Sequence, residues 1–385
     1  MDRQIDLAGK WLSHKSESGD KSPQSKKVAM VHTGQREKLR VAILFGGCSG
    51  EHEVSIDSAA SVLDALDQQR YDPLPIYLDR QGSWSHTSPR DAKNANVGTT
   101  AVPFQLLSQE VDVVFPVLHG THGEDGAMQG LLQILDVPFV GPGVLAAATA
   151  MDKAIFKRVM MSHGFPILPW ELVTAAQLTN SVKGVVDRIE SSLKYPVFTK
   201  PANLGSSVGI SRCSNWRELV AGLKEARKYD RRIVVEQGLV PRELEIAILG
   251  NDDPQASVVG EIRPQRPFYD YTAKYVSGDS ELLIPAPLDD QLVKQARELA
   301  ICTYEAIDGQ GMARVDLFLD PTDNRLYVNE INTIPGFTQM SMFPKLWEAS
   351  GICYPDLLDR LIDLGLERTR NSQSLKRTYD DDSNS

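Results

Sequence analysis

Arg314-Val-Asp-Leu-Phe-Leu319 and Val328-Asn-Glu-Ile-Asn-Thr333, joined through the turn Asp320-Pro-Thr-Asp-Asn324, decide the reading of this chain. Both segments are apolar enough to be buried strands, and the turn residues between them predict a hairpin. Residues two apart on a strand share a face. Glu330 and Asn332 therefore converge, with Asp316 opposite, on one patch of oxygen ligands inside a hydrophobic ribbon. Two carboxylates buried together need a compensating cation. Hard oxygen donors suit Mg²⁺, which also takes oxygens from substrate phosphates. A metal–nucleotide site is the expectation, against the plainer alternative of a polar surface hairpin.

Working outward, 385 residues exceed one ordinary domain, and 42% hydrophobic content suffices for a sizeable core. A net charge of −10 without a basic stripe argues against nucleic acid as a partner. Cys48, Cys213, Cys302 and Cys353 are widely spaced, which suits unpaired thiols in a reducing cytoplasm. No apolar run reaches membrane-spanning length, and the first residues lack a signal-peptide core, so no membrane partner is expected. Residues 1–36 and 369–385 are polar and aperiodic and read as disordered tails.

The first folded segment reads strand (Leu39–Phe45), glycine turn (Gly46–Glu51) and helix (54–66), with further strands at 73–78 and 111–118. That alternation predicts a parallel sheet covered by helices. A glycine turn feeding a helix start is a ligand site by default. Cys48 in this turn reads better as a small packing residue than as a reactive thiol. His119 and His122 stand near Glu124 and Asp125, but the interleaved glycines favour a substrate-positioning loop over a zinc site.

A second phosphate signal lies in the middle of the chain. A strand from Tyr195 ends at Lys200, and Gly205-Ser-Ser-Val-Gly209 precedes another strand, Val208–Cys213. Glycine amides and the hydroxyls of Ser206 and Ser207 can approach phosphate oxygens. The segment is not a Walker loop, and alone it would pass for a hairpin turn. Lys153 opens a helical stretch running to about His163 and is a second candidate phosphate ligand, or an ordinary surface lysine. Ile233–Leu239 and Arg242–Leu249 read as strands, with Glu236 and Glu243 able to accept bonds from an adenine amine and a ribose. The stretch 265–283, with Tyr271, Lys274 and Tyr275, is weakly periodic and reads as a loop that closes over a ligand.

Together these residues resemble the ATP-grasp ligases, and among them the D-alanine–D-alanine ligases. The resemblance covers roughly 37–368 and rests on five motifs in order: Phe45-Gly-Gly-Cys-Ser-Gly-Glu-His-Glu-Val-Ser55, His119-Gly-Thr-His-Gly-Glu-Asp-Gly126, Lys200-Pro-Ala-Asn-Leu-Gly-Ser-Ser-Val-Gly209, Phe268-Tyr-Asp-Tyr-Thr-Ala-Lys-Tyr275 and Asn329-Glu-Ile-Asn-Thr-Ile-Pro-Gly336. It implies an α/β, three-domain ATP-grasp architecture with an N-terminal parallel-sheet domain. The expected divisions are 37–141, 142–235 and 236–368, the last carrying the metal site and the lid 265–283.

The resemblance also implies roles. ATP would phosphorylate one D-alanine, and a second D-alanine would attack the acyl phosphate, for peptidoglycan precursor synthesis in the cytoplasm. Lys153, Lys200 and Lys274 would hold phosphates, with Ser207 beside them. Glu236, Gln237, Leu239 and Glu243 would frame the nucleoside. Asp316, Glu330 and Asn332 would bind two Mg²⁺, with Mn²⁺ able to substitute. Arg314 and the amide of Gly336 would stabilise the tetrahedral oxyanion. Glu51 would meet the first substrate's ammonium and be linked to Ser206 and Tyr275. His119 would sit near the first substrate, and Ser341 and Met342 near the carboxylate of the second. A homodimer is the implied assembly. Two other readings remain: a ligase joining D-alanine to D-lactate, and a non-catalytic nucleotide-binding sensor of D-alanine.

Overall fold

A computed structural model describes residues 38–98, 101–264 and 280–376. Among the described residues, three sheets organise the fold. The first contains β1 (Leu39–Gly46), β2 (Tyr71–Leu78), β3 (Trp84–His86) and β4 (Val113–Pro116), in the order β3-β2-β1-β4. Its β2–β1–β4 core is parallel, as the alternation of strand and helix predicts, and β3 adds an antiparallel edge. Alternation along β1 feeds two cores. Val41, Ile43 and Phe45 face one cluster, whereas Ala42 and Leu44 face another. Burial on both faces is why the strand reads as a continuous apolar run.

The second sheet holds β5 (Trp170–Thr174), β6 (Val197–Pro201), β7 (Ser211–Cys213) and β8 (Arg232–Gln237), all antiparallel in the order β5-β8-β6-β7. The expected strand from Val208 begins only at Ser211. Ser206, Ser207 and Gly209 have φ of 54°, 59° and 72°, and left-handed residues cannot continue an extended ladder. The third sheet holds β9 (Arg242–Leu249), β10 (Gln255–Pro264), β11 (Ser280–Leu283), β12 (Met312–Leu319) and β13 (Leu326–Asn332), antiparallel in the order β11-β10-β9-β12-β13.

Two boundaries differ from expectation. The helices Val144–Met151 and Lys153–Ser162, assigned to the middle unit from sequence, place Ala146, Ala150, Phe156 and Met160 in the core of the third sheet. The last helix, Tyr354–Gln373, runs beyond the expected end at 368. Its Leu357, Leu358, Leu361 and Ile362 share a core with β1. This helix therefore covers one face of the first sheet. The expected lid 265–283 falls mostly outside the described residues. Its last four residues form β11, which pairs with the edge of β10.

Candidate active site

The hairpin of β12 and β13 has the register that the sequence requires. Asp316 lies opposite Glu330 and Arg314 opposite Asn332, with a ladder irregularity directly after Asp316. The turn is tied by Asp320, whose amide donates to the Arg325 carbonyl and whose carboxylate accepts from the Thr322 amide. Arg314 donates through Nε (2.7 Å) and Nη2 (2.6 Å) to the two oxygens of Asp316, and its Nε lies 3.0 Å from Glu245. The Asn332 amide donates to Asp316 at 3.0 Å. Glu330 lies 3.9 Å from the ammonium of Lys153. Among the described residues, no three His, Cys, Asp or Glu side chains close on a point as a finished metal cage does. What is present is an open set of hard oxygens, Glu245, Asp316, Glu330 and Asn332, carrying more negative charge than Arg314 and Lys153 balance. That donor set fits Mg²⁺ completed by phosphate oxygens and water.

A cavity of about 400 Å³ opens beside the hairpin. Glu51, His119, Lys153, Ser206, Arg314 and Glu330 contribute to its walls, and so do Asn332, Gly336, Ser341 and Met342. It brings together segments as far apart in sequence as Glu51 and Met342. Glu51 precedes the helix His52–Ala65, and the Ser206 hydroxyl donates to its carboxylate. Gly120, with φ +74°, lets the His119 loop pass close by, since a Cβ there would stand 2.7 Å from Glu51 Oε2. Burial lowers the pKa of His119 and keeps its ring neutral. Nδ1 then donates to the Ile334 carbonyl (3.1 Å), and Nε2 accepts from the Ser58 hydroxyl (3.0 Å). His119 is thereby a fixed wall of the cavity. His122 points elsewhere, to Cys48 Sγ at 3.3 Å, so the two imidazoles do not share a zinc. Burial, with the charge of Glu51 adding to it, holds the carboxyl of Glu124 well above the usual carboxylate range.

On the far wall, Ser341 precedes the helix Met342–Ala349, and its hydroxyl meets Thr338 Oγ1 at 2.8 Å. A Cβ on Gly336 would lie 2.9 Å from that same hydroxyl, so the turn carrying the Gly336 amide packs closely against it.

The expected nucleoside-framing residues form a second group. Asp152 caps the helix Lys153–Ser162 and fixes Lys153, whose ammonium donates to the Leu204 carbonyl at 2.8 Å. On β6, Lys200 donates to Glu236 Oε2 at 2.5 Å, and Lys157 donates to Oε1 of the same carboxylate. The two ammoniums bring the Glu236 carboxyl down to about 2 despite its burial. Glu243 raises the Lys200 pKa electrostatically and so belongs to the same neighbourhood. The side chain of Gln237 is tied to the backbone of Lys194, and Leu239 is half-buried in the link to β9. Lys274 and Tyr275 lie outside the described residues. Sequence reading missed Lys157 and Glu245, and weighed Glu124 only as part of a zinc alternative. Lys157 carried a signal, standing four residues beyond Lys153 on one helical face. Glu245 carried none, because only the pairing of β9 with β12 sets it opposite Asp316.

Two family models match the chain, "D-ala D-ala ligase N-terminus" over residues 40–142 and "D-ala D-ala ligase C-terminus" over 159–363. A D-alanine–D-alanine ligase of Heliobacterium modesticaldum is 48% identical over 354 residues, covering 87% of this chain and 97% of the relative. The structure of the D-alanine–D-alanine ligase from Coxiella burnetii superposes with a TM-score of 0.76 at 35% identity, covering 88% of this chain and 97% of that one. The VanG D-Ala:D-Ser ligase from Enterococcus faecalis superposes with a TM-score of 0.77 at 32% identity, covering 85% and 99%.

Proposed function

We infer function from one premise: the chain belongs to the D-alanine–D-alanine ligase family. It is a ligase of ATP-grasp fold that joins two D-alanine molecules, using ATP, into the dipeptide used for peptidoglycan precursors. The observation that carries this reading is the convergence on one cavity of Glu330 and Asn332 from the β12–β13 hairpin, Arg314 and the Glu51–Ser206 pair, with Asp316 bonded to Arg314 and Asn332.

The residue roles follow as our proposal. The first D-alanine sits with its ammonium toward Glu51 and beside His119. Its carboxylate oxygen attacks the γ-phosphorus of ATP, forming an acyl phosphate and releasing ADP. The second D-alanine, its carboxylate toward Ser341 and Met342, attacks the acyl carbon through its deprotonated amine. Arg314 and the Gly336 amide stabilise the oxyanion until phosphate departs. Asp316, Glu330 and Asn332 would hold two Mg²⁺, or Mn²⁺ in substitution, and the metal would supply neutralisation of charge on the phosphoryl group. Lys153, Lys200 and Ser207 contact phosphates. Placement in the cytoplasm and assembly as a homodimer complete the reading. Among the described residues, no helix is long and apolar enough to span a membrane.

The test is dipeptide formation by the purified protein with ATP, Mg²⁺ and D-alanine, run beside mixtures of D-alanine with D-serine and with D-lactate. The expected result is stoichiometric ADP, phosphate and D-alanyl-D-alanine from D-alanine alone. A dominant mixed product would shift the assignment to a D-serine or D-lactate ligase, and binding of ATP without turnover would leave the sensor reading.

A further inference from the structure

Glu236 is a carboxylate with a lysine on each oxygen, and its side chain is only 3% exposed. Lys200, on the neighbouring strand β6, is 13% exposed, against 2% for Lys157. Lys157 is 2% exposed and comes from the opposite side, on a helix whose Phe156 and Met160 lie in the apolar core. Stability alone gives no reason for a third buried charge, since Lys200 and Glu236 already make a neutral pair. Glu243 and Glu330 add further negative charge within electrostatic reach of Lys200. Among the described residues, a Lys200 balanced by Glu236 alone would present little net attraction to an anion.

We propose that Lys157 is a positioning residue for the nucleotide: it serves as the counter-ion of Glu236, so that the charge of Lys200 stays uncancelled toward the phosphates of ATP. Lys157 itself is enclosed, at 2% exposure. Glu236, with both oxygens engaged, acts through the two lysines rather than on the adenine. This inference rests on the ATP-dependent reading above and deepens it.

The test is a charge cycle read by calorimetric ATP binding and by steady-state kinetics. Lys157→Met should weaken ATP binding and raise the ATP KM by about tenfold or more, the scale of one lost charge interaction at the edge of a protein. The D-alanine KM and the kcat at saturating ATP should change far less. Removing anion and cation together, in Lys157→Met with Glu236→Gln, should restore ATP affinity to within a few-fold of wild type. A damaged fold would give no such recovery. Unchanged ATP affinity in Lys157→Met overturns the proposal, and so does a double variant as weak as the single. Should Lys157→Met fail to fold, the double variant decides alone, because an isosteric apolar and amide pair is tolerated where an ion pair was; a tenfold loss there overturns the proposal. Failure of the wild type to make dipeptide would count against the ligase reading only, since ATP binding is measured independently of turnover.

Discussion

Asp316 and Glu330 face each other directly across an antiparallel ladder, a like-charge pairing that costs stability by itself. Arg314 on Asp316 and Lys153 near Glu330 offset part of that repulsion, and a divalent ion would offset the rest. Glu330→Gln removes one of the two negative charges but keeps the shape of the side chain. We expect at least a roughly hundredfold fall in kcat, the scale of losing one preorganised electrostatic contact to a transition state. The melting temperature should be unchanged or slightly higher, since repulsion is relieved. Chelation should likewise abolish wild-type turnover, and added Mg²⁺ should restore it. ADP release, magnesium titration and a thermal melt check this together, and a fully active Glu330→Gln protein would remove the hairpin from the mechanism.

At the scale of one element, the helix Tyr354–Gln373 carries Gly365 in its interior, which should cost roughly 1 kcal/mol against alanine. The structure supplies the reason for the glycine. A Cβ at this position would stand 2.6 Å from the Phe139 carbonyl oxygen and 2.9 Å from its carbon, both backbone atoms that cannot turn aside. One turn on, Arg368 donates to the carbonyls of Phe139 and Gly141 and lies over the Phe139 ring at 4.0 Å. Burial brings this guanidinium down to about 10. Gly365→Ala, favourable by helix propensity, should therefore destabilise the protein by roughly 1–3 kcal/mol through overpacking. Urea unfolding measures the sign. A stabilised Gly365→Ala protein would mean that the helix stands off the first sheet. The glycine was visible in the sequence, but its meaning was not, because nothing local to the helix says that residue 139 lies against it.

Across the whole molecule, the helix Tyr354–Gln373 packs on the first sheet, and the Lys157–Glu236–Lys200 cluster joins strands of the second sheet to a helix packed on the third. Stability and site electrostatics are therefore coupled. Glu236 titrates at about 2, below the ordinary carboxylate value of 4.5. A depressed carboxyl contributes stability that is present above the ordinary value and is lost as pH falls toward the folded one. Stability should thus decline between about pH 4.5 and 2, by an amount on the order of a few kcal/mol from this group. In the variant combining Lys157→Met with Glu236→Gln, the slope over that window should be shallower, as urea midpoints across the acid range would show. An identical slope in both proteins would place the acid sensitivity elsewhere.

The sequence by itself determined what depends on short-range pattern. The hairpin of β12 and β13, the glycine turn into the helix at His52, the glycine- and serine-rich loop at 205–209 and most of the proposed site residues are local in the chain, and periodicity or motif order names them. Tertiary structure decided what depends on which distant elements meet. Glu245 joins Arg314 through strand pairing alone, Lys157 becomes the second partner of Glu236 because a helix of the third core reaches the second sheet, and the helices at 144–162 belong with a core other than the one their position suggested. Burial converts an ordinary helix lysine into half of a buried charge pair, and burial is a property of the packed molecule, not of any segment.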